Sequence, residues 1–330
     1  MCIYISHAVP QKGDIMASAI LNQTFIMLIL IFVGVLCAKT GLISQEANSS
    51  LSKFVLQVVN PAVIFMSYQK ECESRLVKNL LLTFALSAVS FAAAIGMAYL
   101  LIRHKEGRDT EAERFSAIYA NCGFMGIPLV NAVFGSEGVF YLTAYITVFN
   151  IIVWTHGVIM ISGQRDVNDL LKVFRSPTII SIVLGLVTFF AGIRLPGTVS
   201  KALEYITDLN TPLAMVVSGV TISSANIKKL LSNKRIYYIV SVKLVIIPAV
   251  ISLLLIVTGI CTPVTHTVLI ASAAPPAAMC TLMCLKYGKN SVYASQIFAL
   301  GTVLSAVTLP LLLKYTECLT KMIDSVCNIR

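Results

Sequence analysis

Residues 121–131 read Asn121-Cys122-Gly123-Phe124-Met125-Gly126-Ile127-Pro128-Leu129-Val130-Asn131, and the reading of this stretch decides the fold. It is too apolar for a loop, yet Gly123, Gly126 and Pro128 weaken any helix drawn through it. Apolar runs flank it on both sides. In a bilayer, non-helical backbone survives only where protein buries it or where it lines a watery cavity. The stretch is therefore expected to be a broken membrane helix, and such breaks mark candidate binding sites.

Composition places the whole chain in a membrane. Of 330 residues, 57% are hydrophobic and 12% charged, with a mean hydropathy of +0.85. A soluble domain carries about 25% charged residues. A net charge of +10 would suggest nucleic acid in a soluble protein. Here the Lys and Arg sit in short connectors between apolar runs, where they act as topology signals, so no nucleic-acid partner is expected. Nine cysteines, an odd count mostly at membrane positions, argue against a disulfide framework. Cys280 and Cys284 share a helical face without further soft ligands nearby, so neither a metal nor another cofactor is expected. No cleavable signal peptide is evident, and Met16 is a candidate start.

Ten windows are long and apolar enough to span: about 17–39, 46–68, 76–102, 112–134, 137–162, 176–193, 201–223, 235–259, 264–286 and 291–314. Alternate connectors hold fifteen Lys and Arg against nine. The richer set, which includes Lys39, Arg103, Arg175 and Lys289, is expected to face the cytoplasm, with both termini outside. The spans divide into a first repeat at 17–162 and a second at 176–316 within a single membrane domain, 1–330. Span 2 carries Asn60-Pro61 and span 7 carries Asn210-Thr211-Pro212. Span 4 carries the break at 121–131, and span 9 carries a second at Ala271–Ala278, with Pro275 and Pro276 at its centre. Five spans per half invert the second half relative to the first, the architecture of many secondary transporters. The expected fold class is an all-α membrane protein in a 5+5 inverted repeat.

At these residues the chain resembles the auxin efflux carrier family, which includes plant auxin exporters and bacterial malate or malonate permeases. The resemblance rests on Asn121 to Val130, Phe134 to Gly138, Val148 to Gly157, Leu209 to Leu213 with Ser218-Gly219, and Ala273 to Ala277 with Lys286 to Gly288. It covers essentially the whole chain. It implies crossing broken helices 4 and 9, as in sodium/proton antiporter or bile-acid symporter folds. It also implies a scaffold of helices 1, 2, 6 and 7 beside a transport bundle of helices 3–5 and 8–10, often in a homodimer. The long central loop of plant members is missing here, which favours the bacterial permease type and a bacterial inner-membrane location.

The chemistry is expected at the breaks. Half-helix N-termini expose unpaired N–H groups, each end worth about half a positive charge, and two facing ends make an anion site without arginine. Asn121, Gly123, Gly126 and Pro128 are the first candidates, with Pro275 and Pro276 opposite. Asn121 offers a hydrogen bond from its side-chain amide or a helix cap, and Gly123 lets the backbone approach a ligand. Asn60 and Asn210 form a symmetric pair that either completes the site or satisfies groups freed by the prolines. Lys243 sits near mid-depth, where a charge costs about 2.5–3.5 kcal/mol. It is a candidate to balance a carboxylate or to occupy the place of a coupling cation. Asp208 and His156 are candidates for carrying a proton, and Asn150 and Gln296 are secondary polar candidates.

The expected function is secondary transport of small organic anions such as carboxylates, by elevator-type alternating access, with a proton or sodium as a possible partner. The alternative is a sodium-coupled symporter or cation/proton antiporter of the same fold. An intramembrane aspartyl protease would need two membrane aspartates, and only Asp208 qualifies, so the chain is not expected to be an enzyme.

Overall fold

The computed structural model describes residues 12–163, 175–223, 230, 232–257 and 263–327, and among these the protein is all-helical with no strand. Among the described residues six segments are long and apolar enough to cross a membrane: Ser18–Lys39, Gln45–Ser67, Ser74–Leu101, Cys122–Ser162, Lys234–Val257 and Ser291–Thr316. Two shorter apolar helices, Pro177–Phe190 and Pro263–Ala273, accompany them. In chain order the helices are α1 (Lys12–Lys39), α2 (Gln45–Phe54), α3 (Asn60–Ser67), α4 (Ser74–Leu101), α5 (Thr110–Ile118), α6 (Ile127–Ile152), α7 (Val158–Ser162) and α8 (Pro177–Phe190). They continue as α9 (Gly197–Asp208), α10 (Asn210–Ser223), α11 (Lys234–Ser241), α12 (Ile247–Val257), α13 (Pro263–Ala273), α14 (Met279–Lys286) and α15 (Ser291–Cys327). The helix thus begins at Lys12, ahead of the candidate start at Met16.

Prolines explain where the helices widen. Three π-helical turns, Val55–Val59, Cys122–Gly126 and Val242–Ile246, each precede a proline by one residue: Pro61, Pro128 and Pro248. A proline lacks the amide that would bond the carbonyl four residues back, and its ring presses on that carbonyl. The affected residues are Gln57, Phe124 and Leu244, the middle residue of each turn. Opening the turn to five-residue spacing relieves the clash locally and keeps the helix running. A fourth widened turn, Val153–Gly157, has no proline behind it, and nothing in its sequence explains it.

The run Cys122–Ser162 holds 41 residues. As one straight helix it would be about 60 Å long, twice the hydrocarbon core of a bilayer. It bends at Gly135, whose φ of 57° lies in the left-handed region that favours glycine. Just beyond the bend, Glu137 accepts from Arg75 at 2.7 Å and from the Tyr141 hydroxyl at 2.7 Å, tying this corner to the start of α4.

The tightest helix pair is α1 against α10, with backbones in direct contact. A Cβ at Gly34 would meet the Val216 carbonyl oxygen at 2.2 Å, and one at Gly219 would meet the Ile31 carbonyl oxygen at 2.1 Å. Small residues at such crossings let membrane helices gain packing where lipid offers no hydrophobic drive. The outer faces of α1, α8 and α15 present Phe25, Ile29, Phe32, Val183, Val187, Phe190, Val307 and Leu311 outward, as lipid-facing surface requires.

Gly219→Leu drives a side chain into backbone that cannot retreat, and it is expected to cost at least about 1–3 kcal/mol. Thermal melting of the purified protein reads this as a clear fall. Gly96→Ala, with open space around its Cβ, leaves melting unchanged or slightly raised. Equal effects at the two positions contradict the packing described.

Candidate functional site

After Ile118 the backbone leaves the helix. Asn121 has φ −78° and ψ 55°, and the next turn begins at Cys122. Between α13 and α14 the chain is likewise unwound through Ala274 to Ala278. These two stretches pair antiparallel at Ala120 and Pro276. The Asn121 amide donates to the Pro275 carbonyl at 2.8 Å, and the Ala277 amide donates to the Tyr119 carbonyl at 2.9 Å. Buried backbone outside a helix must find partners, and here each unwound stretch supplies them to the other. Pro276 is seated against Gly301 of α15, where a Cβ would meet its ring at 2.4 Å.

Asn121 precedes the widened turn, but its side chain makes no capping bond. It is 7% exposed, and its Nδ2 has no hydrogen-bond partner among the described residues. No backbone carbonyl among the described residues accepts from the amides of Cys122, Gly123 or Phe124. Amides without a carbonyl partner therefore concentrate at this helix start, beside the unpartnered Asn121 Nδ2.

They adjoin a cavity of about 350 Å³. Its polar wall includes Ser52, Gln57, Asn60, Asn121, Asn150 and Thr178, and its apolar wall includes Leu56, Phe124, Ile146, Phe149, Trp154 and Leu282. Among the described residues no charged side chain lines it. Gly123 also lies on the wall, its Cβ position 3.3 Å from Asn60 Nδ2. Asn150 uses one Nδ2 hydrogen on the Ile146 carbonyl of its own helix at 2.8 Å, which leaves its second N–H and its Oδ1 for a ligand.

A second cavity, of about 300 Å³, is lined by Pro128, Asn131, Glu204, Thr207, Asp208 and Asn210, among others. Ile127 lines both cavities. Asn210 Nδ2 donates to Asn60 Oδ1 at 2.5 Å, both residues being 4% exposed, so the symmetric asparagines bond one another between the two spaces. Glu204 pairs with Lys201 at 2.9 Å on the exposed side.

The remaining candidates lie elsewhere. Lys243 is buried but lines neither cavity; it donates to the Ser272 carbonyl at 3.2 Å and to the Ile118 carbonyl at 3.5 Å. His156 meets Tyr119 Oη through Nδ1 at 2.9 Å and Tyr99 Oη through Nε2 at 3.3 Å, and it also lines neither cavity. Gly126 lies within the widened turn, Pro275 and Pro276 form the partner strand of the unwound pair, and Gln296 is buried on α15 away from both cavities. Gln57 and Trp154 join the wall without having been singled out. The spacing holds a signal for both, since Gln57 is three residues before Asn60 and Trp154 four after Asn150.

A multi-pass helical membrane protein with an amide-edged cavity beside two paired unwound stretches is the class this geometry defines. The family described as "Membrane transport protein" matches residues 19–170 and 167–313. The chain belongs to that family, the auxin efflux carrier family. It is 24% identical over 292 residues to an uncharacterised transporter of Methanothermobacter thermautotrophicus, covering 86% of this chain and 94% of the relative. It is also 24% identical over 220 residues to an uncharacterised transporter of Methanocaldococcus jannaschii, covering 63% and 70% respectively.

Removing either asparagine of the buried pair leaves the other's amide unsatisfied, at a cost of about 1–3 kcal/mol. In a double-variant cycle, Asn60→Ala with Asn210→Ala is expected to cost less than the sum of the two single changes, by about 0.5 kcal/mol or more. Melting of the four proteins checks this; strict additivity means that the bond contributes nothing.

Proposed function

We propose that this protein is a secondary transporter of small organic anions whose substrate carries a single carboxylate on an apolar body. The cavity beside Asn121 supports this reading. It offers the unpartnered Asn121 Nδ2 and the first-turn amides of Cys122 to Phe124, at the positive end of a helix, with no side-chain cation among the described residues. One carboxylate is served there. A second, pressed against Leu56, Phe149 and Trp154, would meet neither a helix N-terminus nor a described cation to balance its charge, at a penalty of several kcal/mol. The substrate class is thereby narrowed from carboxylates in general, dicarboxylates included, to monocarboxylates.

In this reading the ten spans form the 5+5 inverted repeat, with helices 1, 2, 6 and 7 as scaffold and the rest as a bundle that moves in an elevator-type cycle, in a homodimer. With the Lys- and Arg-rich connectors in the cytoplasm and both termini outside the cell membrane, the Asn121 cavity opens inward past Ser52, Gln57 and Thr178. The cavity of Asp208 and Glu204 then opens outward, and Asp208 is the group placed to take up a proton there. The Asn60–Asn210 bond and Ile127 lie between the two.

Current on proteoliposomes adsorbed to a solid-supported membrane tests the proposal. A jump of hexanoate is expected to give a saturable current and one of succinate little or none. Losing one hydrogen bond to a charged ligand is worth about 1.5–3 kcal/mol, so Asn121→Ala should raise the half-saturating concentration about tenfold or more. Equal responses to both acids, or an unchanged Asn121→Ala, would sink it.

A further inference from the structure

Lys243 is buried at 1% exposure in the middle of a membrane-crossing segment, and among the described residues no carboxylate lies within ion-pair distance of it. Buried charges in a bilayer are expensive and need a specific partner. The partners here are backbone carbonyls at two helix ends. Ile118 is the last residue of α5 and Ser272 the last but one of α13, the two helices that stop where the unwound stretches pair. The Ser272 carbonyl would ordinarily accept from the amide four residues on, and that residue is Pro276, which has none. The Ile118 carbonyl would accept from Cys122, and that bond is not made. Each helix C-terminus carries about half a negative charge, so the two together balance about one positive charge. The widened turn Val242–Ile246 carries the lysine at this depth.

We propose that the Lys243 ammonium is a built-in cation. It fills the place, between two converging helix C-termini, at which a coupled carrier would hold a metal ion with the same carbonyl oxygens. The transport cycle then requires no bound sodium. This deepens the transporter reading and rests on it, because a fixed cation leaves the neutral cavity beside Asn121 free to take an anion without a co-bound metal ion. The lysine itself stays off that cavity's wall and acts by holding the two helix ends together beneath the crossing backbone.

Thermal melting of the purified protein, with no carboxylate present, tests this separately from the transport reading. The wild-type protein is expected to melt at the same temperature in sodium chloride and in choline chloride of equal ionic strength. Lys243→Met, which keeps the chain length and loses the charge, should melt lower by about 5 °C or more. Lys243→Ala should be stabilised by added propylammonium and not by propanol, which fills the same space without charge. Specific stabilisation of the wild type by sodium overturns the proposal. So does an unchanged Lys243→Met, or equal rescue of Lys243→Ala by the alcohol. If Lys243→Ala does not fold, the wild-type salt comparison and Lys243→Met decide the matter.

Discussion

Buried backbone polar groups must be satisfied within the protein, and this molecule leaves two buried stretches, 119–121 and 274–277, outside any helix. The solution is mutual: Asn121 donates to Pro275 and Ala277 donates to Tyr119, so each break supplies the partners the other lacks. Neither break is tolerable alone. Everything near the centre follows from this pairing. It places the start of the turn at Cys122 against the cavity, and it brings the ends of α5 and α13 close enough to share one ammonium.

The two ends of the broken helices are treated differently. Where the chain restarts, at Cys122 to Phe124, the amides have no carbonyl partner and the Asn121 carboxamide nitrogen has none either. Where it stops, at Ile118 and Ser272, a buried cation covers the carbonyls. The negative ends are closed and a positive end is left open beside a cavity that no charged side chain lines among the described residues. That asymmetry favours an anion over a cation as the visitor, and it arises from the polarity of the peptide unit.

Much of this was legible in the residues themselves. Gly123, Gly126 and Pro128 follow one unwound stretch, Pro275 and Pro276 lie within the other, and the place of Lys243 within an apolar run marked it as a group that needs a partner. Prolines also carry the positions of three widened turns, four residues ahead of Pro61, Pro128 and Pro248. What could not be read was contact between distant segments. Asn60 and Asn210 looked equivalent, but their bond joins residues 150 apart in sequence. Lys243 was a candidate to balance a carboxylate or to occupy the place of a coupling cation, and only the fold shows that helix-end carbonyls accept its hydrogen bonds. The donors expected to be free at the break were partly consumed, since the Asn121 amide is used to hold the crossing together. Spans 4 and 5 meet in one helical run, because the bend at Gly135 sits in backbone that is otherwise continuously helical.

The cavity carries its own reporter, since Trp154 on its wall is the chain's single tryptophan. Titrating the purified protein with hexanoate while recording tryptophan emission tests the central claim, that a carboxylate is held beside Asn121. A saturable change in emission, absent with hexanol and lost or strongly weakened in Asn121→Ala, is the expected result. No saturable change, or the same titration in Asn121→Ala as in the wild type, contradicts it.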